Sequence, residues 1–156
     1  MKKLLMAAAL LLGGLLGTSA FAQTTVTRQF DVDINLTSAC SVSPVSNISF
    51  TYVSGQGAPQ ASTGGNFTVT CTPGVPYTFA FEHPVGTPTA SPVTETDNAV
   101  NLQYTLTLPA PVAATGIGQN YQITGNMPAS QAGTCGGGAC TNAAATNKTF
   151  ALLVSY

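Results

Sequence analysis

From residue 24 onward, apolar and polar side chains alternate with a period of two, the spacing of half-buried β-strands. The first such stretch spans residues 24–36. Val26, Phe30, Val32, Ile34 and Leu36 fall on one face and Thr25, Thr27, Gln29, Asp31, Asp33 and Asn35 on the other, with Arg28 interrupting the apolar face near its start. The same period predicts strands over 47–53 (NISFTYV), 66–71 (NFTVTC), 75–82 (VPYTFAFE), 99–108 (AVNLQYTLTL), 120–124 (NYQIT) and 148–156 (KTFALLVSY). Tyr77, Phe79 and Phe81 share one side of the fourth of these. In the last, Phe150, Leu152, Val154 and Tyr156 share one face and Leu153 takes the other. Clusters of Gly, Pro, Ser and Thr at 54–65, 84–98, 109–119 and 125–147 read as the connecting loops, and Thr72-Pro73-Gly74 as a turn. The alanine run at 143–145 is too short to nucleate a helix. Several short strands separated by turn signals predict an all-β sandwich.

The chain begins differently. Lys2 and Lys3 precede an apolar run, Leu4 to Leu16, and Ala20-Phe21-Ala22 places small residues where a signal peptidase reads. Residues 1–22 are therefore expected to be a secretory signal peptide, residues 23–36 a separate N-terminal strand, and residues 37–156 the sandwich domain. No later apolar stretch reaches membrane length, so no direct membrane insertion is expected. Past residue 22 the charges are Arg28 and Lys148 against Asp31, Asp33, Glu82, Glu95 and Asp97, a net charge of −3. Without clustered Lys and Arg, nucleic acid is not an expected partner.

All four cysteines, Cys40, Cys71, Cys135 and Cys140, follow the export signal, and an even number in an oxidising compartment reads as two disulfides. Three pairings are open, of which Cys40–Cys71 with Cys135–Cys140 is favoured. The former closes a loop of about 30 residues and is expected to stabilise the fold by roughly 3–4 kcal/mol through the denatured state. A zinc site needs His or a closer Cys spacing than these four offer, so no metal is expected.

Catalytic chemistry is sparse. His83 is the only histidine, read as an exposed loop residue between Glu82 and Pro84, and no G-x-S-x-G nucleophile elbow accompanies it. The five carboxylates past residue 22 are too scattered for a paired acid and base. Glu95-Thr96-Asp97 matches no calcium loop, and Gly116-Ile117-Gly118 has no helix after it to make a phosphate cradle. No catalytic residue and no cofactor is expected. The N-x-[ST] sequons at Asn35, Asn47, Asn66 and Asn147 arise readily by chance in a Thr- and Ser-rich chain and are not read as glycosylation sites.

The two terminal strands are the unusual feature. An open sheet edge presents unpaired N–H and C=O groups and invites a strand from another chain. A strand bearing Val26, Phe30, Val32, Ile34 and Leu36 brings five apolar side chains to such an edge, roughly 7–15 kcal/mol of burial before ordering costs. A head-to-tail contact of that kind does not close and so propagates a fibre.

Phe30-Asp31-Val32-Asp33-Ile34-Asn35-Leu36-Thr37-Ser38-Ala39-Cys40-Ser41-Val42 resembles the start of spore coat protein U domains and the related archaic chaperone–usher pilins. Asn47-Ile48-Ser49-Phe50 is similar to the second strand of that family. Gly65-Asn66-Phe67-Thr68-Val69-Thr70-Cys71 with Thr72, Gly74 and Tyr77 resembles its most recognisable block. Asn101–Tyr104, Gly125–Gly133 and Thr149–Tyr156 resemble later blocks, so the likeness runs over essentially the whole chain past residue 22. Two departures stand out: Cys135 occupies an aromatic position, with an insertion following to about Asn147, and the pattern fades after Tyr104.

The resemblance implies an incomplete immunoglobulin-like β-sandwich completed by donor-strand exchange. It implies a Cys40–Cys71 disulfide, Val26, Phe30, Val32, Ile34 and Leu36 as the donor face, and Phe150, Leu152, Val154 and Tyr156 lining or flanking the acceptor groove. The implied partners are a periplasmic pilus chaperone, an outer-membrane usher and other copies of the chain or related pilins. The implied place is the cell surface, in a fimbria serving adhesion or biofilm formation. Competing readings are a non-polymerising coat or matrix protein that folds its first strand into its own sheet, a lectin-like adhesin module using the long loops, and a small secreted hydrolase.

Overall fold

The computed structural model describes residues 26–135 and 137–156. The expected signal peptide, residues 1–22, lies outside the described residues, as do residues 23–25 of the first expected strand and Gly136. Ten strands follow in order: β1 (Cys40–Val42), β2 (Gln60–Ala61), β3 (Asn66–Cys71), β4 (Thr78–Glu82), β5 (Pro88–Thr89), β6 (Val93–Thr96), β7 (Gln103–Thr107), β8 (Gln119–Gln122), β9 (Thr124–Met127) and β10 (Ala151–Ser155). There is no helix among the described residues. Among the described residues every strand pairing is antiparallel. The three sheets run β1-β3-β8, β10-β4-β5 and β2-β9-β7-β6. The fold is all-β, as the alternation implies, and its paired sheets fit a β-sandwich.

Leu36–Tyr156 forms one unit around a single core. Phe67, Val69 and Cys71 of β3, Phe81 of β4, Val93 of β6, Tyr104 and Leu106 of β7 and Met127 of β9 are buried together, so all three sheets contribute to it. The period-two pattern explains why. In β3 the inward Phe67, Val69 and Cys71 alternate with the outward Asn66, Thr68 and Thr70. Cys40 of β1 stands opposite Cys71 of β3 in the register and is disulfide-bonded to it. The strand expected over 120–124 is two strands, β8 and β9, divided at Ile123, whose N–H donates to the Gly65 carbonyl at 2.9 Å. Gly65 has φ of +74° and its missing side chain lets that backbone in close, since a Cβ there would sit 2.4 Å from the Ile123 oxygen.

Several expectations change. Residues 26–39 form no strand: the alternating pattern is present but no described neighbour supplies a ladder. In this stretch Val26, Phe30, Val32, Ile34 and Leu36 are 68–87% exposed. The 47–53 strand is reduced to one bridge, Ser49 to Thr63. The 99–108 strand starts only at Gln103, because Asn101 turns the backbone with φ of 52°. Two stretches read as loops contain strands: β2 lies within 54–65, and β5 and β6 within 84–98.

Candidate functional site

Residues 45–52 and β10 form the two walls of an open cleft of about 1000 Å³ within the Leu36–Tyr156 unit. Ile48, Phe50 and Tyr52 are half-buried while Ser49, Thr51 and Val53 are exposed, which is strand alternation without a strand's ladder. Among the described residues, the backbones of Phe50, Thr51 and Tyr52 make no backbone hydrogen bond. The opposite wall is equally one-sided. β10 pairs with β4 from Ala151–Glu82 to Ser155–Thr78 and is an edge strand, with no described strand on its other side.

Aromatic rings floor the cleft. The Phe50 ring lies 6.0 Å from Tyr104, and Tyr104 lies 6.3 Å from Phe150, which in turn meets Phe81 at 5.9 Å. Each wall therefore rests on Tyr104 of β7. Phe50 reaches this seat because position 125 is glycine: a Cβ there would come 2.5 Å from the Phe50 ring. Leu102, Leu106, Ile123 and Met127 complete an apolar lining. Tyr104 has its hydroxyl pushed up to about 12, first by burial and then by the charges of Glu95 and Asp97, so it stays neutral in the floor.

The expected acceptor residues divide. Phe150 and Leu152 line the cleft. Val154 packs, partly buried, against the core beyond that lining, and Tyr156 is 62% exposed. Ile48, Phe50, Tyr52 and Tyr104 were not singled out from the sequence as wall or floor. The alternation of Ile48, Phe50 and Tyr52 was the signal for the first three.

His83 is not the exposed loop residue expected. Its side chain is 9% exposed and stacks on Phe150 at 4.0 Å, with Nδ1 3.0 Å from the Thr149 carbonyl and Nε2 3.6 Å from Glu95. The imidazole thus backs the start of β10 from behind the cleft. Asp97, read from the sequence as part of a Glu95-Thr96-Asp97 run that matches no calcium loop, is 2% exposed. Its Oδ1 accepts from the backbone N–H groups of Ala99 and Val100, at 2.9 and 3.0 Å, and its Oδ2 accepts from Asn142 Nδ2 at 2.8 Å. These contacts make it a structural clasp. Among the described residues no group of three His, Cys, Asp or Glu side chains is placed to hold a metal.

Cys135 and Cys140 are joined to each other, so all four cysteines are paired within the chain. Asp31 and Asp33 are exposed. No helix of the described residues is long and apolar enough to cross a membrane.

Residues 26–148 match the Spore Coat Protein U domain family, and the chain belongs to that family. The family is a structural, pilin-type one associated with chaperone–usher fibres. No curated protein and no solved structure matches the chain.

Proposed function

We propose that this member of the spore coat protein U family is a structural, non-enzymatic subunit of a bacterial surface fibre, exported behind a signal peptide and assembled by strand insertion. Residues 23–36 of one copy lie between residues 45–52 and β10 of another and complete its sheet. A periplasmic chaperone holds the same cleft before assembly, an outer-membrane usher is where the exchange takes place, and the fibre serves adhesion or biofilm formation.

The observation that carries the reading is a matched pair of features. One is a cleft with the edge strand β10 on one wall, the unladdered backbone of residues 50–52 on the other, and a floor of Tyr104, Leu102, Leu106 and Ile123. The other is a segment whose five apolar side chains share one face, broken once by Arg28, and are exposed. Inserted between the walls, such a segment gains main-chain bonds on both sides and buries its apolar face. The one-residue precision of strand register makes the alternation informative, since a slip by one position would turn that face to water.

Deleting residues 23–36 tests this directly. The truncated chain is expected to fold, recognised by an intact Cys40–Cys71 disulfide and native β-sheet circular dichroism in a complex with its chaperone, yet to form no fibres by electron microscopy. Unfolding of the truncated chain even with chaperone present points instead to a self-completed domain. Fibres formed without the segment overturn the proposal.

A further inference from the structure

The lining of the cleft includes described residues of the stretch from Cys135 to Asn147 that departs from the family pattern, and this stretch carries the chain from one wall to the other. At the Tyr52 end of the first wall, Tyr52 Oη donates to the Pro128 carbonyl at 2.9 Å and Ser54 Oγ donates to the Ala132 carbonyl at 2.6 Å. The backbone then passes Thr134, whose N–H donates to the Val100 carbonyl at 2.6 Å, and enters the loop closed by Cys135 and Cys140. It continues through Asn142 to Thr149 and Phe150, where the second wall begins. Cys135, Gly138, Ala139, Cys140, Thr141 and Asn142 all line the cleft.

The residues after the disulfide are fastened by hydrogen bonds. Asn142 Nδ2 donates to Asp97 Oδ2 at 2.8 Å, the Thr146 N–H donates to Asn98 Oδ1 at 3.1 Å, and Asn147 Nδ2 donates to the Thr96 carbonyl at 2.8 Å. Lys148 Nζ donates to the Ala143 carbonyl at 2.6 Å. The return leg is thereby tied to the turn after β6.

A strand entering a cleft meets the same main-chain partners at every second residue. Slips of two residues keep the apolar face inward, so the walls alone do not choose among them. A fixed end does choose. We propose that Cys135 and residues 138–142, held by the Cys135–Cys140 disulfide, are the end stop of the cleft and set the register of the occupant, the apolar segment 26–36 of a second copy of this chain. This rests on the strand-insertion reading above. The cleft body meets that occupant's alternating apolar side chains with Ile48, Phe50 and Tyr104. The stop carries Thr141 and Asn142, so an apolar side chain driven past its place is left against polar groups.

The test uses the mature chain, residues 23–156, and fluorescent synthetic peptides of residues 24–38, 24–34 and 28–38, with affinity read by anisotropy. Ala139→Trp adds bulk to the stop and leaves the disulfide in place; Ala139 is exposed, so an unchanged melting temperature is expected. The substitution is expected to weaken the full peptide and the one truncation that reaches the loop by about tenfold, and to leave the other truncation unchanged. A second variant, Cys135→Ser with Cys140→Ser, is expected to keep binding the full peptide. A photo-crosslinker at peptide position 36 should then spread over several cleft residues instead of one. Equal effects on all three peptides, or a crosslink pattern untouched by either variant, overturn the end stop while leaving strand insertion standing. No binding of any peptide to the wild-type chain overturns both.

Discussion

Replacing Phe30 with alanine is expected to leave the isolated chain untouched and to weaken the assembled fibre. Phe30 is 85% exposed, and substitutions at such positions usually change stability by less than about 0.5 kcal/mol. On the strand-insertion reading the same ring is buried in the apolar cleft of the next copy. Truncating a buried Phe costs about 3 kcal/mol at the lower end of its range, which is roughly a hundredfold in the equilibrium of each junction. With a guanidinium slope of about 3 kcal/mol/M, the dissociation midpoint falls by about 1 M. The assay is guanidinium titration of purified fibres, followed by the fraction of monomer on unheated gels, alongside circular dichroism of the isolated chain. Gln29→Ala, on the opposite face of the same segment, serves as the control and should move neither midpoint. The reasoning fails if Phe30→Ala fibres dissociate with the wild type, or if the isolated chain itself loses the 3 kcal/mol.

Three further outcomes follow from the domain. Reducing Cys40–Cys71, which closes a separation of 31 residues, should lower stability by about 3–4 kcal/mol, read as a drop in urea midpoint between oxidised and reduced protein. Asp97→Ala strands the Ala99 and Val100 N–H groups and releases Asn142, at a cost of about 1–3 kcal/mol by denaturant titration with unchanged slope. Tyr77 and Tyr104 are both held up at about 12 from an ordinary 10.0, Tyr77 by burial and by its bond and proximity to Tyr121. Their neutral forms therefore favour the folded state. That contribution is intact below pH 10 and is lost as pH rises toward 12, because the unfolded chain releases those protons first. Absorbance at 295 nm should show part of the tyrosine titrating late and merging with the rest only on unfolding.

The strands that were legible are those whose pattern and partners agree. In β3 and β4 the run of inward aromatic and aliphatic residues is the same in sequence and in fold, and the ladder follows. β6 was hidden because Val-Thr-Glu-Thr carries one apolar residue in four, and its outward side is a threonine pair, Thr94 and Thr105 at 2.8 Å, that reads as loop composition. Residues 26–36 and 48–53 have the opposite character. Their alternation is plain, yet they form almost no ladder, because pattern reports what a segment can pair with and ladder reports what is beside it. The roles of His83 and Asp97 were out of reach for a different reason. His83 meets the Thr149 carbonyl 66 positions away and Asp97 meets Asn142 45 positions away, and no local spacing announces such pairs. The cleft was half legible: the last strand's pattern put Phe150 and Leu152 on one face and the family resemblance made that face a groove wall, whereas the Phe50 wall and the Tyr104 floor depend on which strands are neighbours.

The most direct measurement places a photo-crosslinking amino acid at position 30 and assembles fibres from equal parts of light and ¹⁵N-labelled chain. Irradiated fibres are then digested and the crosslinked peptides weighed. Strand insertion predicts mixed light–heavy pairs joining position 30 to residues within 48–52 or 150–154. Crosslinks found only within single copies would contradict it.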